Sequence, residues 1–136
     1  MISLKELSIA FTAGAIGALI ITMLMWLEVK YGIANSLSIK LPNLSGQALI
    51  QKIYKMMVWG GIWALLLLLP FAKSKWFFRG LIFSLLPSIV TFLYFAPNAG
   101  IGYFGINAGY LMPLNILILN AIWGIIAAWW FEVFKS

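Results

Sequence analysis

The chain has 136 residues, of which 64% are hydrophobic and only 9% charged, with a mean hydropathy of +1.04. Soluble domains carry roughly a quarter charged residues, so these proportions exclude a water-soluble globule and place the chain in a bilayer. Cysteine, histidine and aspartate are missing and the only acids are Glu6, Glu28 and Glu132. That inventory excludes disulfides and thiol chemistry and offers almost nothing for a metal site, a cofactor or an acid–base pair, so no catalysis is expected.

The formal charge of +6 invites a nucleic-acid reading. The nine cations, however, are scattered at helix ends and form no basic stripe with interleaved aromatics. Attraction to anionic lipid headgroups accounts for them more simply. Between the charges lie uncharged runs from Leu7 to Leu27 (21 residues), Met56 to Ala72 (17) and Gly80 to Phe131 (52). A hydrocarbon core about 30 Å thick takes about 20 residues of helix. The last run is therefore two spans, and the expected fold is an all-α integral membrane protein: a single-domain bundle of four transmembrane helices running up-down-up-down.

The first helix is expected over residues 4–29. Lys5 precedes an apolar region longer than that of a secretory signal, so the segment reads as a retained helix. It carries Ala10, Ala13, Gly14, Gly17 and Ala18 at spacings of three and four. Such a flat face of small side chains lets two backbones approach closely in lipid. A polar loop follows, "YGIANSLSIKLPNLSG", punctuated by Gly32, Pro42 and Gly46.

The second helix is expected over 47–70 and ends at Pro70. In its first turns Ile50, Ile53, Tyr54 and Met57 oppose Gln51, Lys52 and Lys55, a pattern that places both lysines outward at the interface. "AKSKWFFRG" then packs Lys73, Lys75 and Arg79 into a short turn, the densest charge in the chain and the expected cytoplasmic loop. The third helix, 75–96, has a stripe of Gly80, Ser84, Ser88 and Thr91 with Pro87 among them. Proline removes the hydrogen bond to the Phe83 carbonyl and kinks the helix. Ser84, Ser88 and Thr91, with Asn115, are the candidate lining of a polar path, and the alternative is that these hydroxyls only bind helices together.

Residues 97–110, "PNAGIGYFGINAGY", contain Gly100, Gly102 and Gly105 in the order G-x-G-x-x-G. A dinucleotide fingerprint needs a strand before it, a helix opening on it and an acid about twenty residues later. Here an apolar helix precedes, Pro113 delays the next helix and no acid follows before Glu132, so no nucleotide is expected. The ion-channel filter that "IGYFG" resembles is equally unsupported, because Phe104 separates the tyrosine from the glycine and no threonine precedes. The favoured reading is an uncharged hairpin that packs on the bundle, on another subunit or among headgroups, and the alternative is a re-entrant loop, whose backbone must be buried in protein or line water.

The fourth helix, 111–134, has Pro113 in its first turn and Asn120, Gly124 and Ala128 at four-residue spacing. If helices one and four are antiparallel, Ala10 lies level with Ala128, Gly14 with Gly124 and Ala18 with Asn120. These six residues are the expected packing seam. Glu28 is expected to pair with Lys30 or with the lysines of the second helix.

A cytoplasmic 73–79 turn puts five cations inside (Lys5, Lys73, Lys75, Arg79, Lys135) against four outside. Both termini are then cytoplasmic, in what is expected to be a prokaryotic inner membrane. With no titratable group at mid-span, the expected function is a homo-oligomeric passive channel or transport-type protein for an ion, a small neutral solute or a lipid-like molecule. The alternative is a non-catalytic accessory or scaffolding subunit of a larger membrane complex.

Overall fold

A computed structural model describes residues 2–41, 45–70 and 75–135. All the regular structure among these residues is helical, with no strand. Helix α1 (Leu4–Lys30) starts where the Ser3 side chain accepts a hydrogen bond from the Glu6 amide at 3.1 Å, an N-cap with an acid in the first turn. The short α2 (Ile33–Ser36) follows, entered through Gly32 at φ 74°. Helix α3 (Gly46–Ala64) tightens into a 3-10 turn, Leu65–Leu68, before Pro70. Helix α4 (Trp76–Val90) widens into a π-helical turn, Thr91–Phe95, and continues as α5 (Ala96–Asn98). A 3-10 segment, Tyr103–Ala108, leads to α6 (Met112–Phe134).

Three of these helical stretches are long and apolar enough to cross a membrane: Leu4–Lys30, Trp76–Asn98 and Met112–Phe134. Helix α3 is not one of them, because Gln47, Gln51, Lys52 and Lys55 dilute its first turns. Its apolar part extends instead into the leucines of the 3-10 turn. The outward faces of the spans carry exposed large side chains, among them Ile20, Met23, Phe78, Leu85, Ile89, Leu114 and Ile118, as a lipid-facing surface requires.

Small residues decide which helices touch. A Cβ on Gly14 would strike the Gly60 carbonyl and Ala64, and one on Gly60 would lie 2.6 Å from Ala18 Cβ, so α1 and α3 meet backbone to backbone. A Cβ on Gly124 would strike the Gly80 carbonyl and come within 3.0 Å of Ser84 Cβ, so α6 meets α4 in the same manner. The pairing expected from the sequence is thereby corrected. Gly14 faces Gly60 and Ala64 of α3 where Gly124 was expected, and Gly124 faces Gly80 of α4.

Asn120, expected opposite Ala18, donates from Nδ2 to Ser88 Oγ on α4 at 3.0 Å. Helices α1 and α6 do pack against each other as expected, in a different register: a Cβ on Gly17 would lie 3.0 Å from the Trp123 carbonyl oxygen, and Trp123 Nε1 donates to the Gly14 carbonyl at 3.0 Å. Ala10, Ala18 and Ala128 are all buried in this core, together with Ile21, Leu67, Phe83, Leu119, Ala127 and Phe131. A stripe of small residues announces close approach without naming its partner, and here two glycine seams, α1–α3 and α4–α6, are joined where α1 packs on α6 around Trp123.

A second, smaller core of Ala34, Ile39, Phe92, Ala108, Met112 and Ile116 lies at the other end. It is closed by the 97–110 segment, which packs on the chain's own 38–40 stretch: the Lys40 amide donates to the Ala108 carbonyl at 2.7 Å. Gly105, at φ 73°, sits directly on Met112 and Ile116 where a side chain would collide. Gly100 and Gly102 turn the chain at φ 84° and 79°, and Phe104 follows at φ 61° with its ring 5.0 Å from Phe92. The hairpin is thus a cap on one end of the bundle.

Candidate functional site

The two halves of the bundle differ in packing. Around Trp63, Ala64, Leu67, Gly80, Phe83, Trp123, Gly124 and Ala127 no space is left for a water molecule. Toward the capped end the helices part and enclose a cavity of about 410 Å³, within the usual range for small-molecule sites. Its apolar floor and sides are Ile21, Met25, Met56, Ile116 and Leu119, and its polar lining is Lys52, Lys55, Thr91, Asn98, Asn115 and Asn120.

Each wall has a local cause. Pro87 supplies no amide for the Phe83 carbonyl, and four residues later the Thr91 hydroxyl donates to the Pro87 carbonyl at 2.7 Å as the helix widens into its π turn. Single π turns inside α-helices commonly mark functional positions. This one sets Thr91, Phe95 and Ala96 against the cavity. Phe95 meets Trp59 of α3 edge to face, with ring centroids 5.7 Å apart, which closes the side where α3 and α4 would otherwise gape.

The first turns of helix α3 depart only in part from the expected orientation. Lys52, Lys55, Met56 and Trp59, at spacings of three, four and seven, border the cavity. Ile50 and Tyr54, of the apolar set, are 43% and 66% exposed, while Ile53 and Met57 are half-buried and Gln51 is exposed. In lipid an apolar side chain can face the surroundings as readily as the bundle, so the stripe does not fix one face inward. Lys55 stays exposed and Lys52 is half-buried.

The four residues proposed as path lining separate. Thr91 and Asn115 line the cavity. Ser84 and Ser88 are buried in the α4–α6 seam, where their hydroxyls donate to the carbonyls of Leu81 and Ser84 at 2.7 and 2.9 Å. They do not line this cavity, so the path expected along that stripe is corrected to a hydrogen-bonded contact. Asn120, assigned to packing, does both: it binds Ser88 and borders the cavity.

Glu28 also departs from expectation. Lys30 lies over the Trp26 ring at 4.7 Å and makes no ion pair with it. Glu28 instead comes within reach of the Asn115 amide without completing a well-formed hydrogen bond, so Asn115 Nδ2 is buried and unpaired. Among the described residues the one salt bridge is Lys135–Glu132 at 2.9 Å, exposed on the last turn of α6. No group of three or more potential metal ligands occurs among them either.

At the opposite end Arg79 is spent on structure. One of its guanidinium nitrogens donates to the carbonyls of Leu67 and Leu69, both at 2.9 Å, which satisfies the end of the 3-10 turn. Lys73, expected beside it in a charged turn, lies outside the described residues, as does Pro42 of the first loop. No protein-family model, curated protein or solved structure matches the chain.

Proposed function

We propose that the chain crosses the bilayer four times, up-down-up-down, and passively takes a lipid-like amphiphile into the cavity between its helices, as a non-catalytic transport-type protein. The four-span reading is supported by the order of contacts. Gly14 meets Gly60 and Ala64 while Phe11 meets Gly61, and Gly80 meets Gly124 while Ser88 meets Asn120. The apolar length of α3 is completed by the leucines up to Leu69. Both termini then share one side, the cytoplasmic one by the slight excess of cations there.

The observation that carries the ligand reading is that the cavity is blind. Below it the helices pack without room for water, and Trp123 lies across the seam. An ion or small hydrophilic solute has no route through a single chain, whereas a molecule with a polar end and an apolar body matches a polar mouth over an apolar floor. The cavity is formed within one chain, so a ring of subunits is not needed to build it. An accessory subunit would dock a partner on flat helix faces or on an aromatic surface; the flat face of α1 is consumed inside the bundle, with Ala10, Ala13 and Ala18 at 0%, 0% and 1% exposure, while aromatics such as Phe78, Tyr94 and Trp129 stay exposed.

The test uses purified protein in liposomes. Leakage of ions and small neutral solutes is expected to equal that of empty vesicles, while an environment-sensitive amphiphile binds saturably. Ala99→Trp, which fills the mouth from an exposed position, is expected to abolish the binding. Saturable solute flux without amphiphile binding would overturn the proposal.

A further inference from the structure

The cavity reading leaves two features unexplained, and both concern charge. Lys52 and Lys55 face the same space one turn apart, and among the described residues neither has a protein counter-charge. A lysine at an interface ordinarily snorkels its ammonium group into water, and Lys55 is exposed enough to do so. Lys52 is half-buried on the cavity wall, where an unpaired charge is costly. The second feature is Asn115 Nδ2, a buried donor without a well-formed hydrogen bond, although the Glu28 carboxylate lies within reach of the Asn115 amide. Buried polar groups are nearly always satisfied, so an orphaned donor bordering a cavity marks where an acceptor belongs. Glu28 is the nearby acid, and it leaves this donor unpaired.

We infer that the cavity selects an anionic glycerophospholipid, its phosphodiester held by Lys52, Lys55 and Asn115. This rests on the cavity reading above and adds the headgroup. Two ammonium groups are donors only, and the Asn115 amide adds its unpaired Nδ2, a set that suits acceptor oxygens carrying net negative charge. A phosphodiester with its glycerol occupies the polar mouth and sets the first methylenes of its chains against Met25, Met56 and Ile116. A choline headgroup adds a cation beside two lysines and is disfavoured for that reason.

Trp59 lines the same cavity and reports on occupancy. The full chain is placed in phosphatidylcholine vesicles doped with phosphatidylglycerol or phosphatidylcholine brominated near the headgroup. Quenching of the Trp59 component is taken as the difference between wild type and Trp59→Phe. Brominated phosphatidylglycerol is expected to occupy the site in preference to phosphatidylcholine by roughly ten- to thirtyfold, the attraction of two lysines for an anionic lipid. The double variant Lys52→Ala/Lys55→Ala is expected to abolish the preference, and Lys30→Ala/Lys40→Ala to keep it. Lys52→Gln/Lys55→Gln, with helicity checked by circular dichroism, repeats the test with longer side chains.

A preference that survives loss of Lys52 and Lys55, or that disappears equally with Lys30 and Lys40, would be general surface attraction and would overturn the inference. Equal quenching by both lipids overturns the headgroup assignment and leaves the cavity reading standing. No quenching of Trp59 by either lipid overturns both. A shift of Trp59 emission by inorganic phosphate alone, in vesicles without anionic lipid, would assign the site to a free anion and overturn the lipid.

Discussion

Gly14→Ala adds one methyl group where the structure has none to spare. The new Cβ would lie 2.7 Å from the Gly60 carbonyl carbon, and ordinary contact begins at 3.4 Å. The difference between those figures is 0.7 Å, and because the Gly60 carbonyl oxygen and Ala64 Cβ lie closer still, α1 and α3 must part by more than that; neither a backbone carbonyl nor an alanine methyl can swing aside. A gap of 0.5–1 Å forfeits roughly a quarter to a half of each dispersion contact along the seam. Overpacking of this kind costs about 1–3 kcal/mol. Moving α1 also strains the Trp123 hydrogen bond to the Gly14 carbonyl, worth about 1 kcal/mol.

Against this, alanine is the better helix former by about 1 kcal/mol. The steric terms win, and a net loss of about 1–3 kcal/mol is expected. Reversible unfolding in mixed micelles, followed by far-UV circular dichroism against detergent fraction, measures it, with the lipid-facing Ile20→Ala as control. Gly60→Ala approaches the same seam from the other side, so the double variant should lose less than the sum of the singles by more than about 0.5 kcal/mol. If Gly14→Ala proves as stable as wild type, the α1–α3 seam described above is wrong.

Ser88→Ala removes the acceptor of the Asn120 amide. A loss of about 0.6–2 kcal/mol is expected, the range for interhelical hydrogen bonds in lipid, and a cycle with Asn120→Leu should show that the two residues are coupled. Arg79→Gln withdraws the donors that satisfy Leu67 and Leu69. It should cost about 1.5–3 kcal/mol and speed amide exchange in residues 65–69, and unchanged exchange there would refute the capping role. Glu132→Gln breaks the exposed pair with Lys135 and should change stability by less than about 0.5 kcal/mol in the same unfolding assay.

Much of the helix layout is legible in the sequence because the devices that end helices in a membrane are local. Charges stand at Lys5, Lys30, Arg79 and Glu132, and Pro70 and Pro113 punctuate between them. Partnership is not local. Gly14 and Gly124 share a spacing and a depth, which is all that sequence offers, and either could have sat on any flat face. Three glycines elsewhere, Gly60, Gly61 and Gly80, supplied closer surfaces.

The serine stripe was ambiguous for a related reason: a hydroxyl that bonds to its own helix and one that faces water have the same sequence. Of the lysines, Lys55 is exposed as expected, whereas the cavity that both border was not foreseen. Their spacing with Trp59 was visible throughout and is that of a single lining surface.

The division of the bundle into a dry half and an open half follows from where size is allotted. Gly14, Gly17, Gly60, Gly61, Gly80 and Gly124 all fall in the dry half, and each touches a neighbouring helix. Past Ile21 the seams carry Met25, Met56, Trp59, Phe95 and Met112, side chains too long for backbones to meet, so the helices are held apart. Proline 87 and the π turn act in the same direction, since a widened helix cannot continue the close seam that Gly80 and Ser84 begin. The cap formed by residues 97–110 then covers the second core at Ala108 and Met112 while Asn98 and Ala99 stay exposed at the cavity rim. The tight half fixes the geometry, and the loose half holds the cavity that Lys52 and Lys55 border. On the function proposed above, a guest enters and leaves by that end, past the two lysines.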